Sequence, residues 1–505
     1  MCIRDRLLII VSSIGCGGES GDPFDAIGFD AYDSNLSSRV KDYHIATTSN
    51  LTLITSSNPS LYIDFSDGIQ KAFKEPVINK LISDCFNSLY GANLTTFRLG
   101  DDKITQLSIT NSTELGELIS DSKNYKDKYA PIQKAVEEIV NKANDALIIT
   151  DFEEVQKGSG EILKTAYLKE SFTTWIGKGN TIHFFVADYV EGKVNKHIYF
   201  TLFIVGSKDE NNMLSKLNPY FASLPKFELS NQAFNLNNKY PSARMGGNFY
   251  ESDAGPGKDN ILDLKDSYVN GLKSDIPYEF YPFGLDWANI STTHESYIEH
   301  NQFDHFFRNL FIDLNNEDSY IYEDFEVKVT DVTDDFLHFA KCTEALNHKP
   351  KIVKGTNGED KFSDDEMDDI ALYCFDSHGK IKSDWEYTNT KKNTNELPEV
   401  FLLNQELFKN TKKDSEKGAV ELGILFDPKF KVENIANPDC LMRVDIILVS
   451  AKPNISNPLL ENFKWINSKG ETNLGLYQSI KTTLEEPSVV PTNKVIYSYY
   501  IKTLQ

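Results

Sequence analysis

The sequence predicts an α/β domain, with a mostly parallel sheet flanked by helices, followed by a β-rich, sandwich-like region. Three observations lead there. Two short apolar runs, Leu61-Tyr62-Ile63 and Ala146-Leu147-Ile148-Ile149-Thr150, each end in an aspartate, Asp64 and Asp151. Runs of that length read as strands of a sheet covered on both faces. A helix-dominated stretch lies between them, of the length that separates neighbouring strands of a parallel sheet. Beyond about residue 230, helical periodicity fades and Asn, Ser, Gly and Pro punctuate strand-like runs, the pattern of antiparallel sandwiches.

The elements follow in order. After the Asp64 loop, Phe73, Val77, Ile78, Leu81, Ile82, Cys85, Phe86 and Leu89 recur at helical spacing, with Pro76 where a first-turn proline is tolerated. Thr95 to Leu99 reads as a strand ending in Gly100-Asp101-Asp102. Ile132, Val136, Ile139, Val140 and Ala143 define a helix leading to the Asp151 strand. A third helix is expected from Glu161 to Trp175. Strands Thr181 to Tyr189 and His197 to Val205 are joined through Glu191-Gly192-Lys193, and a short helix, Met213 to Phe221, closes this half. Later strand candidates are Tyr278 to Tyr281, Tyr320 to Val329, Ile370 to Phe375, Val400 to Leu403, Val420 to Phe426 and Arg443 to Val449. A helix, Leu474 to Leu484, and a strand, Val495 to Leu504, end the chain. The expected divisions are an α/β domain at 49–228 and a β-rich region at 229–505, holding one or two sandwich-like domains.

Composition narrows the function. A chain of 505 residues is too long for one core and implies two domains or three. Lys plus Arg number 52 against 75 Asp plus Glu, a formal charge of -23. Nucleic-acid binding rests on concentrated basic residues, so this charge argues against a phosphate-backbone partner, and no nucleic acid is expected. Acidic surfaces repel anionic membranes too, leaving solubility or recognition of a cationic or neutral partner.

The N-terminus carries an address. Leu7-Leu8-Ile9-Ile10-Val11 is too short to span a bilayer and fits a signal-peptide core. Ser12-Ser13-Ile14-Gly15-Cys16 resembles the bacterial lipobox, with Cys16 the lipidated residue and Ser13 where leucine is more typical. An ordinary buried strand is the alternative. The opening Met1-Cys2-Ile3-Arg4-Asp5-Arg6 looks like translated sequencing adapter, so the natural start is expected to differ. Residues 1–16 are thus read as a lipoprotein signal peptide and 17–48, rich in Gly, Ser and Asp, as a flexible tether. The lipid would place the protein on the bacterial cell envelope, facing the periplasm or the surface. Cys85 falls on an apolar helix face, where a cysteine is usually a small hydrophobe. Cys342 and Cys374 are the candidates for a disulfide in an oxidising compartment, and no cysteine spacing reads as a zinc site.

The two strand-end aspartates carry the most chemistry, because open α/β sheets bind ligands at the carboxyl ends of their strands. Residues 49 to about 225 resemble the von Willebrand factor A-type (vWA) domain. In that family an Asp-x-Ser-x-Ser loop, a threonine at the start of a later helix and an aspartate after a central strand build a metal-ion-dependent adhesion site. Here the loop is Asp64-Phe65-Ser66-Asp67-Gly68, the helix entrance is Tyr129-Ala130-Pro131-Ile132, and the later aspartate is Asp151. Gly68 and Ala130 lack the family's hydroxyls, while Asp64, Ser66 and Asp151 remain. The resemblance implies that these three hold Mg²⁺ or another divalent cation. That ion commonly keeps several waters and needs only one or two carboxylates. The competing reading is a fold that kept its shape and lost its ion. Asp67, Glu153 and Glu154 are further acidic residues nearby whose direction the sequence does not give.

Other motifs are weaker. His294-Glu295-Ser296-Tyr297-Ile298-Glu299-His300 fits neither His-Glu-x-x-His nor His-x-x-Glu-His and reads as a surface segment. The acidic run Glu359 to Asp369 lacks the alternation and central glycine of a calcium loop. Gly246-Gly247 and Gly255-Pro256-Gly257 mark turns, with no phosphate-loop lysine after them. The aromatics from Tyr278 to Trp287 suit core packing better than sugar stacking. The expectation is therefore a lipid-anchored binding or adhesion protein, more a binder than an enzyme, that recognises a protein or other extracytoplasmic ligand. An exported metal-dependent hydrolase with Ser66 as the nominated nucleophile is one alternative. A glycan-binding or assembly lipoprotein with a scaffold vWA-like domain is the other.

Overall fold

A computed structural model describes residues 24, 27–29, 35–48, 58–231 and 318–504, together with strands Leu262–Leu264, Tyr278–Leu285 and Phe307–Asp313. Short breaks fall at 91–92, 156–160, 192–193, 207–211, 355–359, 363–367, 377, 390–392, 415–418, 428, 430–438 and 467–471. The signal segment with Cys16, the His294 to His300 motif, the two glycine turns and Trp287 lie outside the described residues, as does much of the acidic run. Among the described residues, no helix is long and apolar enough to cross a membrane.

The chain divides into two compact units. The smaller holds Met1–Thr47 and Asp331–Asn395. Leu36, Val40 and Tyr43 are buried at helical spacing, and they set helix α1 (Leu36–Thr48) where the sequence reads as tether. Tyr43 packs edge-on against Phe336 and Phe339 of helix Thr333–Asn347, and its hydroxyl donates to the buried Asp335 at 2.6 Å. Ile370 to Phe375, expected as a strand, lies mostly in a short helix, Asp369–Cys374. The Asp368 side chain accepts from the Ala371 N–H at its start. Cys342 and Cys374, both buried, are not joined by a disulfide.

The larger unit, Thr48–Thr330 and Glu396–Gln505, is built on a seven-stranded sheet. Its strands are β1 (Ser60–Asp64), β2 (Thr95–Gly100), β3 (Lys103–Leu107), β4 (Ala146–Thr150), β5 (Thr181–Glu191), β6 (Val194–Ile204) and β7 (Lys226–Leu229). Their order is β3-β2-β1-β4-β6-β5-β7. The centre is parallel, β1 pairing with β2 and β4, and the flanking pairs are antiparallel. Strands β1, β2, β4 and β5 therefore run one way and the other three the opposite way. Every residue of β1 and β4 is buried, which is why both read as unbroken apolar runs.

Helices α2 (Gln70–Lys74), α3 (Pro76–Leu89), α4 (Ser112–Ser120) and α7 (Met213–Phe221) contribute to the core on one sheet face, with Leu61, Ile63, Leu147, Ile149, Phe185, Ala187, Ile198 and Phe200. Helix α3 buries Ile78, Leu81, Ile82, Cys85, Phe86 and Leu89 while Val77 faces solvent. The other face packs α5 (Ile132–Lys142) and α6 (Lys169–Gly177) against Tyr62, Ile148, Phe184 and Phe203. Helix α6 begins eight residues later than Glu161, because Leu163 is drawn off to the Glu154 carbonyl at 2.7 Å.

This second face is completed from far along the chain. Phe463 stacks among Phe184, Tyr199 and Phe227 at 5.1, 5.7 and 5.5 Å between ring centres. The Tyr199 hydroxyl donates to the Asn462 carbonyl, and Leu168 donates its N–H to Ser479 of helix Gly475–Leu484. Gly475 lies so close to the preceding loop that a Cβ there would stand 2.5 Å from the Leu163 carbonyl oxygen. The compact unit thus runs past residue 228 and takes in the later β-rich segments. Those form a six-stranded sheet containing Tyr320–Asp331, Leu441–Pro453 and Lys494–Leu504, and a three-stranded one containing Phe401–Leu403 and Ala419–Phe426. Lys494–Leu504 pairs parallel with Tyr278–Leu285, so the larger of these sheets is mixed where the sequence suggests antiparallel.

Candidate functional site

The parallel register of β1 and β4 brings Asp64 and the residues after Thr150 to the same sheet edge. Asp64 is 1% exposed and Asp151 3%. The Asp64 Oδ1 accepts the Ser66 N–H at 2.7 Å, and Oδ2 accepts the Thr150 hydroxyl at 2.8 Å, a direct tie between the two strand ends. Ser66, half-buried, bridges in parallel to Asp127, and the Asp67 N–H donates to the Asp127 carbonyl at 2.9 Å. The Asp127 carboxylate is held by Arg98 at 2.7 Å, so the whole loop is pinned from outside. Asp67 itself is exposed.

Past β4 the chain turns sharply. Phe152 is fully buried with φ 56°, a left-handed conformation that costs a bulky residue energy and clusters at functional sites. The turn is closed by the Glu153 N–H donating to Asp151 Oδ1 at 3.0 Å. Glu153 in turn accepts from Lys196 Nζ at 2.9 Å and from the Trp465 indole at 2.7 Å. Lys196, at the start of β6 and 3% exposed, also pairs with Glu191 at 2.8 Å. Glu154 accepts the Gln133 N–H at 2.9 Å, placing a carboxylate on the amino end of α5, where its dipole favours negative charge. Ala130, the residue at that helix entrance, is buried without a hydroxyl to offer.

The side chains gathered at these strand ends are mostly acidic. Burial pushes the Asp64 carboxyl up, opposed by its bonds from Ser66 and Thr150. Burial raises Asp151 well above the usual range, Glu153 and Asp64 add to this, and Lys196 pulls it back. Burial raises Glu154 to about 7 against the bonds from the α5 backbone. Lys196 would lose its proton more easily through burial alone, but Glu153, Asp151 and Glu191 outweigh that and raise it.

Asp64, Ser66 and Asp151, the three sequence-predicted ligands, lie at the carboxyl ends of the neighbouring strands β1 and β4. Asp64 and Asp151 are two buried carboxyls whose proton affinity is raised first by burial and then by neighbouring acids, Glu153 for both and Asp64 for Asp151. A Cβ on Gly68 would sit 4.0 Å from Asp151 Oδ2, so the loop faces that oxygen across ordinary contact distance with no side chain between. Among the described residues, no three His, Cys, Asp or Glu side chains are grouped to hold a metal; the sequence-predicted candidates are two carboxylates and the Ser66 hydroxyl. Thr150, Lys196 and the roles of Glu153 and Glu154 are additions that sequence reading does not supply. No family model, curated protein or solved structure matches the chain.

Proposed function

We propose that this protein is a lipid-anchored binding or adhesion protein of the bacterial cell envelope, tethered through Cys16, with a vWA-like α/β domain as its recognition element. The observation that supports it is the meeting of Asp64, Ser66 and Asp151 at the carboxyl edge of two neighbouring parallel strands, with Gly68 facing Asp151. Asp64, Ser66 and Asp151 would hold Mg²⁺ or another divalent cation. Bound there, the ion supplies positive charge to which a carboxylate or other oxygen of a protein or other extracytoplasmic ligand attaches. The protein's own part is to hold the three side chains in place: Thr150 fixes Asp64, the Glu153 N–H fixes Asp151, and Arg98 fixes the loop through Asp127.

The test is thermal melting of the full chain in Mg²⁺, Mn²⁺ or Ca²⁺, beside Asp64→Ala and the double variant Gly68→Ser/Ala130→Thr. An ion at about a hundred times its dissociation constant adds about 2.7 kcal/mol to stability. The expected result is a shift lost in Asp64→Ala and strengthened when the two hydroxyls are restored. Identical melting of the wild type with and without every ion would overturn the metal-assisted reading.

A further inference from the structure

Phe24 is buried, and it lies eight residues after Cys16. Its ring stands 4.7 Å from that of Trp385, and it shares a buried cluster with Ala345, Cys374 and Phe375, against which Ile27 also packs. Arg39 of helix α1 donates to the Gly28 carbonyl at 3.0 Å and holds the same segment from its other side. A stretch that reads as tether is thus bound into the smaller unit at Phe24, and only seven residues separate that point from Cys16. An extended chain reaches about 3.3–3.6 Å per residue, so Phe24 would lie within about 30 Å of a bilayer holding the Cys16 lipid.

The surface beside Phe24 is apolar. Trp385 packs at 5.3 Å against Tyr373, the neighbour of Leu372 in helix Asp369–Cys374. Leu372 is 54% exposed and Tyr373 48%, while Ala371 and Cys374 on either side of them are buried. A run of rings therefore leads from Phe24 through Trp385 to solvent. Lys382 Nζ donates to the Leu372 and Tyr373 carbonyls at 3.3 and 2.7 Å, an ammonium at the end of the helix that carries both side chains. Asp369 and Asp384 are exposed too, so the charge here is mixed and suits a zwitterionic headgroup better than an anionic one.

Single exposed apolar residues need no explanation, but these two stand next to the attachment of a short tether. A stable protein complex buries about 20–30 residues a side, far more than this surface offers. A weak contact with the anchoring bilayer is different, because a short linker makes it intramolecular, at an effective concentration in the millimolar range. Tyrosine suits the level of lipid headgroups, where its ring meets acyl chains and its hydroxyl meets water. We propose that Leu372 and Tyr373 form a membrane-contact surface of the smaller unit, resting among the headgroups of the bilayer that holds the Cys16 lipid. This rests on the lipid-anchored reading above and adds the face that meets the membrane.

The experiment uses the full chain, expressed behind an intact lipoprotein leader and transferred from bacterial membranes into vesicles of phosphatidylcholine brominated in its acyl chains. Leu372→Trp and Tyr373→Trp are the reporters, beside the wild type and a Cys16→Ala form made without the leader. Both positions are about half exposed, so each reporter is expected to melt with the wild type. The brominated lipid is expected to quench the tryptophan emission of both reporters beyond that of the wild type. Cys16→Ala/Leu372→Trp, lacking the tether, should need about a hundredfold more lipid for the same quenching. A wild type that floats with the vesicles while neither reporter shows added quenching would overturn this face and leave the anchor standing. A wild type that stays in solution like Cys16→Ala would overturn the anchor, and the membrane contact with it.

Discussion

Replacing Lys196 by methionine keeps the length and apolar stem of a side chain that is 3% exposed and removes its charge. In the wild type that charge lies 2.9 Å from Glu153 and 2.8 Å from Glu191, and it offsets Asp151 as well. Removing one partner of a buried ion pair costs about 3–5 kcal/mol, because the other is left buried and unpaired. The Glu153 and Glu191 side chains keep some solvent, at 17% and 19% exposure, so the lower end, about 3 kcal/mol, is expected. At about 2–4 °C per kcal/mol in a domain of some 150–250 residues, and less in a larger one, the melting point should drop by about 5 °C or more. Urea unfolding at pH 8 and pH 5 measures the effect directly. Without Lys196 the Asp151 carboxyl rises further, so the folded variant takes up protons that the unfolded chain does not. Its stability then increases as pH falls, and the gap to wild type should narrow from pH 8 to pH 5. A variant within 1 kcal/mol of wild type at pH 8 or a gap independent of pH would refute Lys196 as the counter-charge of this acidic cluster.

Glu154→Gln should flatten the pH dependence of stability. The folded carboxyl, near 7, lies above its ordinary value of 4.5, so its contribution is present in full below 4.5 and is lost as pH rises through 7. The buried His183, held well below its ordinary range by desolvation, acts oppositely, its contribution being lost as pH falls; comparing variant with wild type by urea unfolding cancels it. Phe463→Ala should cost about 3–5 kcal/mol in the same assay, since it empties the ring cluster with Phe184, Tyr199 and Phe227. Gly475→Ala should destabilise by about 1–3 kcal/mol, because its Cβ must displace the Leu163 carbonyl, and circular-dichroism melting would show it. A fragment of residues 49–228 should bind a hydrophobic dye and show no cooperative melt, as it lacks Phe463, Leu476, Ile480 and Leu484 on one sheet face.

Much of the sheet's first half is legible in the sequence because its signals are strong. The runs before Asp64 and Asp151 are apolar throughout, which only strands covered on both faces require, and α3 carries a clear apolar stripe behind Pro76. Weak signals mislead. The repeat of Leu36, Val40 and Tyr43 is submerged in a Ser- and Asp-rich segment, so α1 reads as tether. Ile370 to Phe375 is apolar enough for a strand, and only the Asp368 cap shows that it starts a helix. At the site, a strand-end carboxylate can be found from local pattern, but its neighbours cannot. Lys196 looks like any lysine entering a strand, and it becomes a counter-charge only through the β5–β6 pairing and the left-handed turn at Phe152. Trp465 reaches Glu153 across a separation of 312 residues, a distance over which one sequence carries no signal.

The closure of the sheet by residues 460–484 sets an order on biogenesis. Leu168 waits for Ser479, and Tyr199 for Asn462, across separations of 311 and 263 residues. During vectorial synthesis, at about 5–20 residues per second, the central strands emerge roughly a quarter of a minute or more before their apolar cover. Until then they present an open hydrophobic surface that a holdase chaperone would recognise. The candidate site matures last as well, because the indole that braces Glu153 arrives with the same segment.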